Sequence, residues 1–257
     1  MDLDDEWHCF GLVVYEARET RACPYAVKKP CRRCPPAVAG ERSSSDSLFS
    51  LAMCSPAPAL PVVYLPGASG RGSVLRPIAE RLARRREPHL VDYPGLSGAP
   101  APPDVHSLDE LARHLVANLP ERFDAVSLSM GSALALRIAL SYGERLRRLV
   151  LATPAGGVDV RASGAVNWRP AFEARRPDAP RWFLDDTVDL TQRLSAVRIP
   201  TLLVLGGRDG VAPVAIGEHL RAHLPMARLE VVPDATHDLE EEFPDLLASL
   251  VEAHLRG

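Results

Sequence analysis

The chain has 257 residues, enough for one sizeable core without requiring a second domain, and a formal net charge of −3. A balance so near neutral gives no electrostatic pull toward nucleic acid or an anionic membrane, and it leaves a small neutral or weakly charged molecule as the default partner. No apolar run approaches the roughly 20 residues that span a bilayer, and the acidic start from Met1 to Trp7 is unlike a signal peptide, so membrane insertion and export are not expected.

Residues 1–60 differ in composition from the rest. They hold both lysines (Lys28, Lys29), all five cysteines (Cys9, Cys23, Cys31, Cys34, Cys54), a Ser-rich stretch and alternating prolines. The segment is expected to be a largely irregular N-terminal extension with weak strands at most around Phe10 to Tyr15 and Leu48 to Ala52, and Met53 is a second candidate start. An odd, one-sided cysteine count fits a reducing, cytoplasmic setting better than a disulfide framework. Cys23, Cys31 and Cys34, with His8 or Cys9, lack the spacing of a recognised zinc site, so no metal is expected.

From Pro61 onward short apolar runs alternate with Ala/Leu/Arg stretches of helical period. In chain order the spacing predicts strand Val62 to Leu65, helix Val74 to Arg86, strand His89 to Asp92 and helix Leu108 to Asn118. Strand Ala125 to Leu128, helix Met130 to Tyr142 and strand Leu149 to Ala152 follow. The last four are strand Thr201 to Leu205, helix Pro213 to His223, strand Leu229 to Val232 and helix Leu239 to Leu255. Repeated strand–helix steps require right-handed crossovers, hence a mostly parallel, doubly wound α/β sheet of about six to eight strands with helices on both faces. Ligands of such sheets bind beyond the carboxyl ends of the strands.

One connection breaks the rhythm. About 45 residues between Ala152 and Ile199 carry Gly156-Gly157, several prolines and Trp168, Phe172, Trp182 and Phe183. The segment 156–196 is expected to form a small lid whose aromatics, with Ser69, line an apolar pocket.

Three loops carry the chemistry. Ser127-Leu128-Ser129-Met130-Gly131 joins a strand to a helix, so a sharp turn lifts the Ser129 hydroxyl beside a helix N-terminus that favours developing negative charge. Ser127 stands where the G-x-S-x-G pattern has its first glycine. Asp209 follows the strand Thr201 to Leu205, and His237 follows the strand Leu229 to Val232, late in the chain. Serine, acid and histidine thus occur in the order expected of a nucleophile, an orienting acid and a general base on one sheet edge. The Met130 N–H, with one from Ala68 in the glycine-rich loop Leu65 to Gly70 or from Ser69 as the fallback, would hold the oxyanion. That loop lacks the spacing of a phosphate-binding motif, and the mechanism needs no cofactor.

At about residues 60–257 the chain resembles the α/β-hydrolase superfamily, in particular small carboxylesterase- and thioesterase-like members. The resemblance rests on Leu65-Pro66-Gly67-Ala68, Asp92-Tyr93-Pro94-Gly95-Leu96-Ser97-Gly98, Ser127 to Gly131, Gly206 to Asp209 and Thr236-His237. It implies a serine hydrolase that cleaves a small carboxylic ester or thioester through an acyl-enzyme. The alternatives are lyase or acyl-transfer chemistry with the same three residues, and a non-catalytic binding scaffold.

Overall fold

The computed structural model describes residues 59–83 and 86–257. The expectations for the N-terminal cysteines and the weak strands at Phe10 to Tyr15 and Leu48 to Ala52 lie outside these residues. Strand β1 is Val62–Leu65 and β2 is Pro88–Leu90; β3 (Phe123–Leu128), β4 (Leu146–Ala152), β5 (Thr201–Gly206) and β6 (Ala227–Val232) follow. All six pair in parallel, in the order β2-β1-β3-β4-β5-β6. The chain runs outward from β1 to β2, then crosses back to β3 and continues the other way, so the winding reverses between β1 and β3.

That reversal places helices on both faces. Helices α1 (Arg76–Leu82) and α8 (Pro244–Arg256) cover one face, where Ile78, Leu82, Leu247 and Val251 pack on Tyr64, Val126, Val150 and Val204. Helices α2 (Leu108–Val116), α3 (Gly131–Tyr142) and α6 (Val214–His223) cover the other, packing on Val63, Leu65, Leu151 and Leu203. A sheet buried on both faces needs strands apolar at every position, which is why Val62–Leu65 reads as an unbroken run. Helix α2 begins with a reciprocal cap: the Glu110 N–H donates to Ser107 Oγ at 3.2 Å, and the His106 N–H donates to Glu110 Oε2 at 2.7 Å.

Several boundaries differ from the sequence reading for physical reasons. Strands β3, β4 and β6 start earlier than expected because charged residues lie inside them; Asp124, fully buried in β3, is paired by Arg86 at 2.9 Å and by Arg147 at 2.5 Å. The expected C-terminal helix is split into α7 (Leu239–Glu242) and α8, because Pro244 has no N–H to give and turns the preceding residue away from helical geometry. The first helix opens as a 3-10 turn, Gly72–Leu75, before α1. The excursion between β4 and β5 contains the short helices α4 (Arg169–Arg175) and α5 (Arg181–Leu184).

His254 on α8 is 6% exposed and donates from Nε2 to the Pro200 carbonyl at 3.1 Å. Burial lowers its pKa to about 4; the Pro200 carbonyl opposes this, and Arg148 and Arg228 reinforce it. The unfolded chain therefore takes up this proton first, near the ordinary imidazole value, and stability falls as pH drops from about 6.5 toward 4. Urea unfolding at pH 7 and 4.5 should give a lower midpoint in acid, and His254→Gln should make that drop shallower.

Candidate active site

The sharp turn between β3 and α3 holds Ser129 at φ 52°, a left-handed conformation rarely adopted by a residue with a side chain. It is held there by backbone bonds on both sides: the Ser129 N–H donates to Ala152 O at 2.9 Å, and its carbonyl accepts from the Ser132 and Ala155 N–H groups. Gly131 lets the turn press against the end of β1, since a Cβ there would stand 2.3 Å from Pro66 O and 2.5 Å from Leu65 O. Both obstacles are backbone, so Gly131→Ala is expected to cost about 3 kcal/mol, read as a lowered thermal midpoint. Ser127 is accommodated differently from a glycine: its buried hydroxyl donates to Val150 O at 3.0 Å and lies 3.2 Å from Ser132 Oγ.

Asp209 and His237 come from the loops after β5 and β6, which meet backbone to backbone. Gly206 makes this contact, because a Cβ on it would lie 2.4 Å from Ala235 O. The Arg208 N–H donates to Ala235 O at 3.0 Å and ties the two loops together. The histidine loop is braced from α7, where Glu242 accepts from the Thr236 N–H at 2.7 Å and from the Thr236 hydroxyl at 2.8 Å.

These loops bring the three residues into one chain of hydrogen bonds. Asp209, 4% exposed, accepts the Val211 and Ala212 N–H groups on Oδ1, each at 2.8 Å, and faces His237 Nδ1 with Oδ2 at 2.8 Å. A carboxylate can only accept, so the neutral imidazole carries its proton on Nδ1. Nε2 is then an acceptor, and the Ser129 hydroxyl donates to it at 2.9 Å.

The glycine-rich loop after β1 lies beside this chain: a Cβ on Gly67 would be 3.2 Å from Ser129 Cβ. The Asp92 to Gly98 loop pins it, with Asp92 Oδ1 accepting the Gly72 N–H at 2.7 Å and the buried Tyr93 hydroxyl donating to Pro66 O at 2.9 Å. Among the described residues neither the Ala68 nor the Met130 N–H donates to a protein acceptor.

A cavity of about 310 Å³ opens at Ser129 and His237, with walls that include Ala68, Ser69, Trp168 and Phe172. Trp182 and Phe183, expected in this lining, are not part of it. Phe183 is 2% exposed and packs edge-on against Phe172 at 5.7 Å between ring centroids, and Trp182 packs edge-on against Phe183 at 6.4 Å. Phe183 therefore packs against both lining aromatics, Trp168 and Phe172, without itself lining the cavity. The excursion is tied to the acid loop through the Val166 N–H, which donates to Gly210 O at 2.8 Å.

The sequence reading did not include Val74, Leu128, Val211, Arg175 or Glu240, all of which line the cavity. Glu240 is 7% exposed, and its Oε2 is buried with no hydrogen-bond partner. Burial raises its pKa to about 7; its own backbone N–H and His237 oppose the shift, and Asp238 and Glu241 add to it. It stands on the first turn of α7, three residues after the loop residue His237, and closeness in sequence was the available signal. Among the described residues no cluster of His, Cys, Asp and Glu is arranged to hold a metal ion, and no helix is long and apolar enough to cross a membrane.

The model of the alpha/beta hydrolase family fits residues 62–196. A pimeloyl-[acyl-carrier protein] methyl ester esterase of Nitrosomonas europaea is 26% identical over 238 residues, covering 75% of this chain and 94% of that protein. The protein of the same description from Aeromonas hydrophila is 28% identical, covering 74% and 93%. Among solved structures, a hydrolase from Pseudomonas aeruginosa superposes with a TM-score of 0.66 at 20% identity, covering 79% of this chain and 92% of its own. A thermophilic esterase from Thermogutta terrifontis gives 0.63 at 21%, covering 77% and 89%.

Proposed function

Because this chain belongs to the alpha/beta hydrolase family, we propose that it is a serine esterase in which Ser129, His237 and Asp209 form the catalytic triad. The observation that carries this reading is the unbroken chain of hydrogen bonds from Ser129 Oγ through the imidazole to a buried carboxylate.

In this reading the reaction is acyl transfer through Ser129. As Ser129 Oγ bonds to the substrate's acyl carbon, its proton passes to His237 Nε2, and the carbonyl oxygen takes the negative charge. The Ala68 and Met130 N–H groups receive that oxyanion, a kind of contact whose loss typically costs on the order of a hundredfold or more in rate. Asp209 stabilises the imidazolium. When the tetrahedral adduct collapses, the bond to the leaving group breaks and that group takes the proton from His237, leaving an acyl-serine. Water then repeats the sequence, losing its proton to His237 and releasing the carboxylic acid and free Ser129.

The substrate proposed is a small carboxylic ester or thioester. A cavity of about 310 Å³ lies at the small end of ligand sites, and Trp168, Phe172, Val74 and Leu128 give it mostly apolar walls. The relatives described as methyl ester esterases support ester cleavage. In this reading segment 156–196 acts as a lid over the catalytic domain 61–257. The test is turnover of p-nitrophenyl esters and the matching thioesters of graded acyl length. Activity should be greatest for short acyl groups and fall as the chain outgrows the cavity; a folded protein inert toward every member would overturn the proposal.

A further inference from the structure

The cavity contains a polar group that the proposed reaction does not use. Around Ser129 and His237 the walls contributed by Val74, Leu128, Phe172 and Val211 are apolar, and Glu240 interrupts them. Of the other carboxylates at the site, Asp238 is exposed to solvent, while Asp209 and Glu242 have protein partners, two amides and the imidazole for the first and Thr236 for the second. Glu240 Oε2 has none, although the residue is more than nine-tenths buried. A buried polar oxygen without a partner destabilises the fold that contains it, and this one belongs to a residue of the cavity wall, where a bound molecule can supply the missing bond.

We infer that Glu240 is a specificity-determining residue, whose free carboxyl oxygen bonds a hydroxyl group carried by the ester substrate. This rests on the reading of Ser129 as the nucleophile. The terminal torsion of a glutamate is soft and roughly two-fold, so a small turn presents the oxygen to the cavity. The surrounding charges select a neutral partner. A cationic ligand would meet Arg175 and the imidazolium formed on His237, and an anionic one would meet Glu240 itself, with Asp238 and Glu241 beside it. A hydroxyl suits either protonation state of the acid, accepting from the carboxylic form or donating to the carboxylate.

The test uses the full chain and two matched ester pairs, propyl against 3-hydroxypropyl acetate and methyl hexanoate against methyl 6-hydroxyhexanoate, with hydrolysis followed by proton release. In at least one pair the hydroxylated ester should have the higher kcat/KM, by about tenfold or more. Glu240→Leu should bring that ratio to within about twofold, and Glu240→Gln, which keeps a hydrogen-bonding head, should preserve most of it. The melting temperature of Glu240→Leu should be at or above that of the parent, because an unpartnered buried acid is removed. Equal rates within both pairs, or a preference that survives in Glu240→Leu, would overturn the inference and leave the esterase reading intact. A lower melting temperature in Glu240→Leu would overturn it too, by showing that the acid serves the fold. A folded parent protein that hydrolyses none of the four esters would overturn the esterase reading and this inference with it.

Discussion

Ser129→Ala is expected to lower kcat for ester hydrolysis by about 10⁴- to 10⁶-fold, with KM changed by no more than a few-fold. The substitution removes one oxygen. The backbone bonds that hold the turn, from the Ser129 N–H to Ala152 O and from Ser132 and Ala155 to the Ser129 carbonyl, need no side chain. Alanine tolerates φ 52° about as poorly as serine does, so the thermal midpoint should shift little. Steady-state kinetics and a melting curve on one preparation then separate lost chemistry from lost folding. A residual rate from binding and the oxyanion donors alone would remain.

The second large effect is expected from Asp209→Asn. Asp209 Oδ1 accepts from both Val211 and Ala212, while Oδ2 faces His237 Nδ1. In the amide the oxygen must stay with the two N–H donors, because an NH₂ group cannot accept from them. The NH₂ is then left facing Nδ1, which must become the acceptor, and the imidazole proton moves to Nε2. That nitrogen can no longer take the Ser129 proton. A fall of about 10⁴-fold in kcat at neutral pH follows, with the loop, and hence the melting temperature, close to the parent's. If Asp209 only braced the loop, Asp209→Asn would lose little activity. The kinetic constants of the folded variant discriminate between the two roles.

Where local chemistry decides the structure, the sequence was readable. Val62–Leu65 is apolar at every position because it is covered on both faces, and the loops of Ser129, Asp209 and His237 follow strands that short apolar or β-branched runs made visible. Where a distant partner decides, it was not. Asp124 looks unlike a buried strand residue until Arg86 and Arg147 arrive from elsewhere in the chain. Trp168 and Phe172 were separable from Trp182 and Phe183 only by how two short helices stack.

Ser127 and Glu240 show the same limit within the site. Ser127 read as a departure from a glycine pattern, and a carbonyl on the neighbouring strand, Val150 O, takes its hydroxyl. Glu240, Glu241 and Glu242 stand side by side in the first turn of α7. Packing gives the three different fates: Glu242 binds Thr236, Glu241 is exposed, and Glu240 is buried against the cavity. Which member of a charged run turns inward depends on the tertiary fold around it.

The claim on which the rest depends is that Ser129 Oγ is the nucleophile. Incubation of the folded protein with a fluorophosphonate, followed by peptide mass mapping, tests it directly. The account predicts a single phosphonyl adduct on the peptide containing Ser129, formed at a rate that collapses in Asp209→Asn and absent from Ser129→Ala. An unlabelled folded protein, or an adduct that persists in Ser129→Ala, would contradict it.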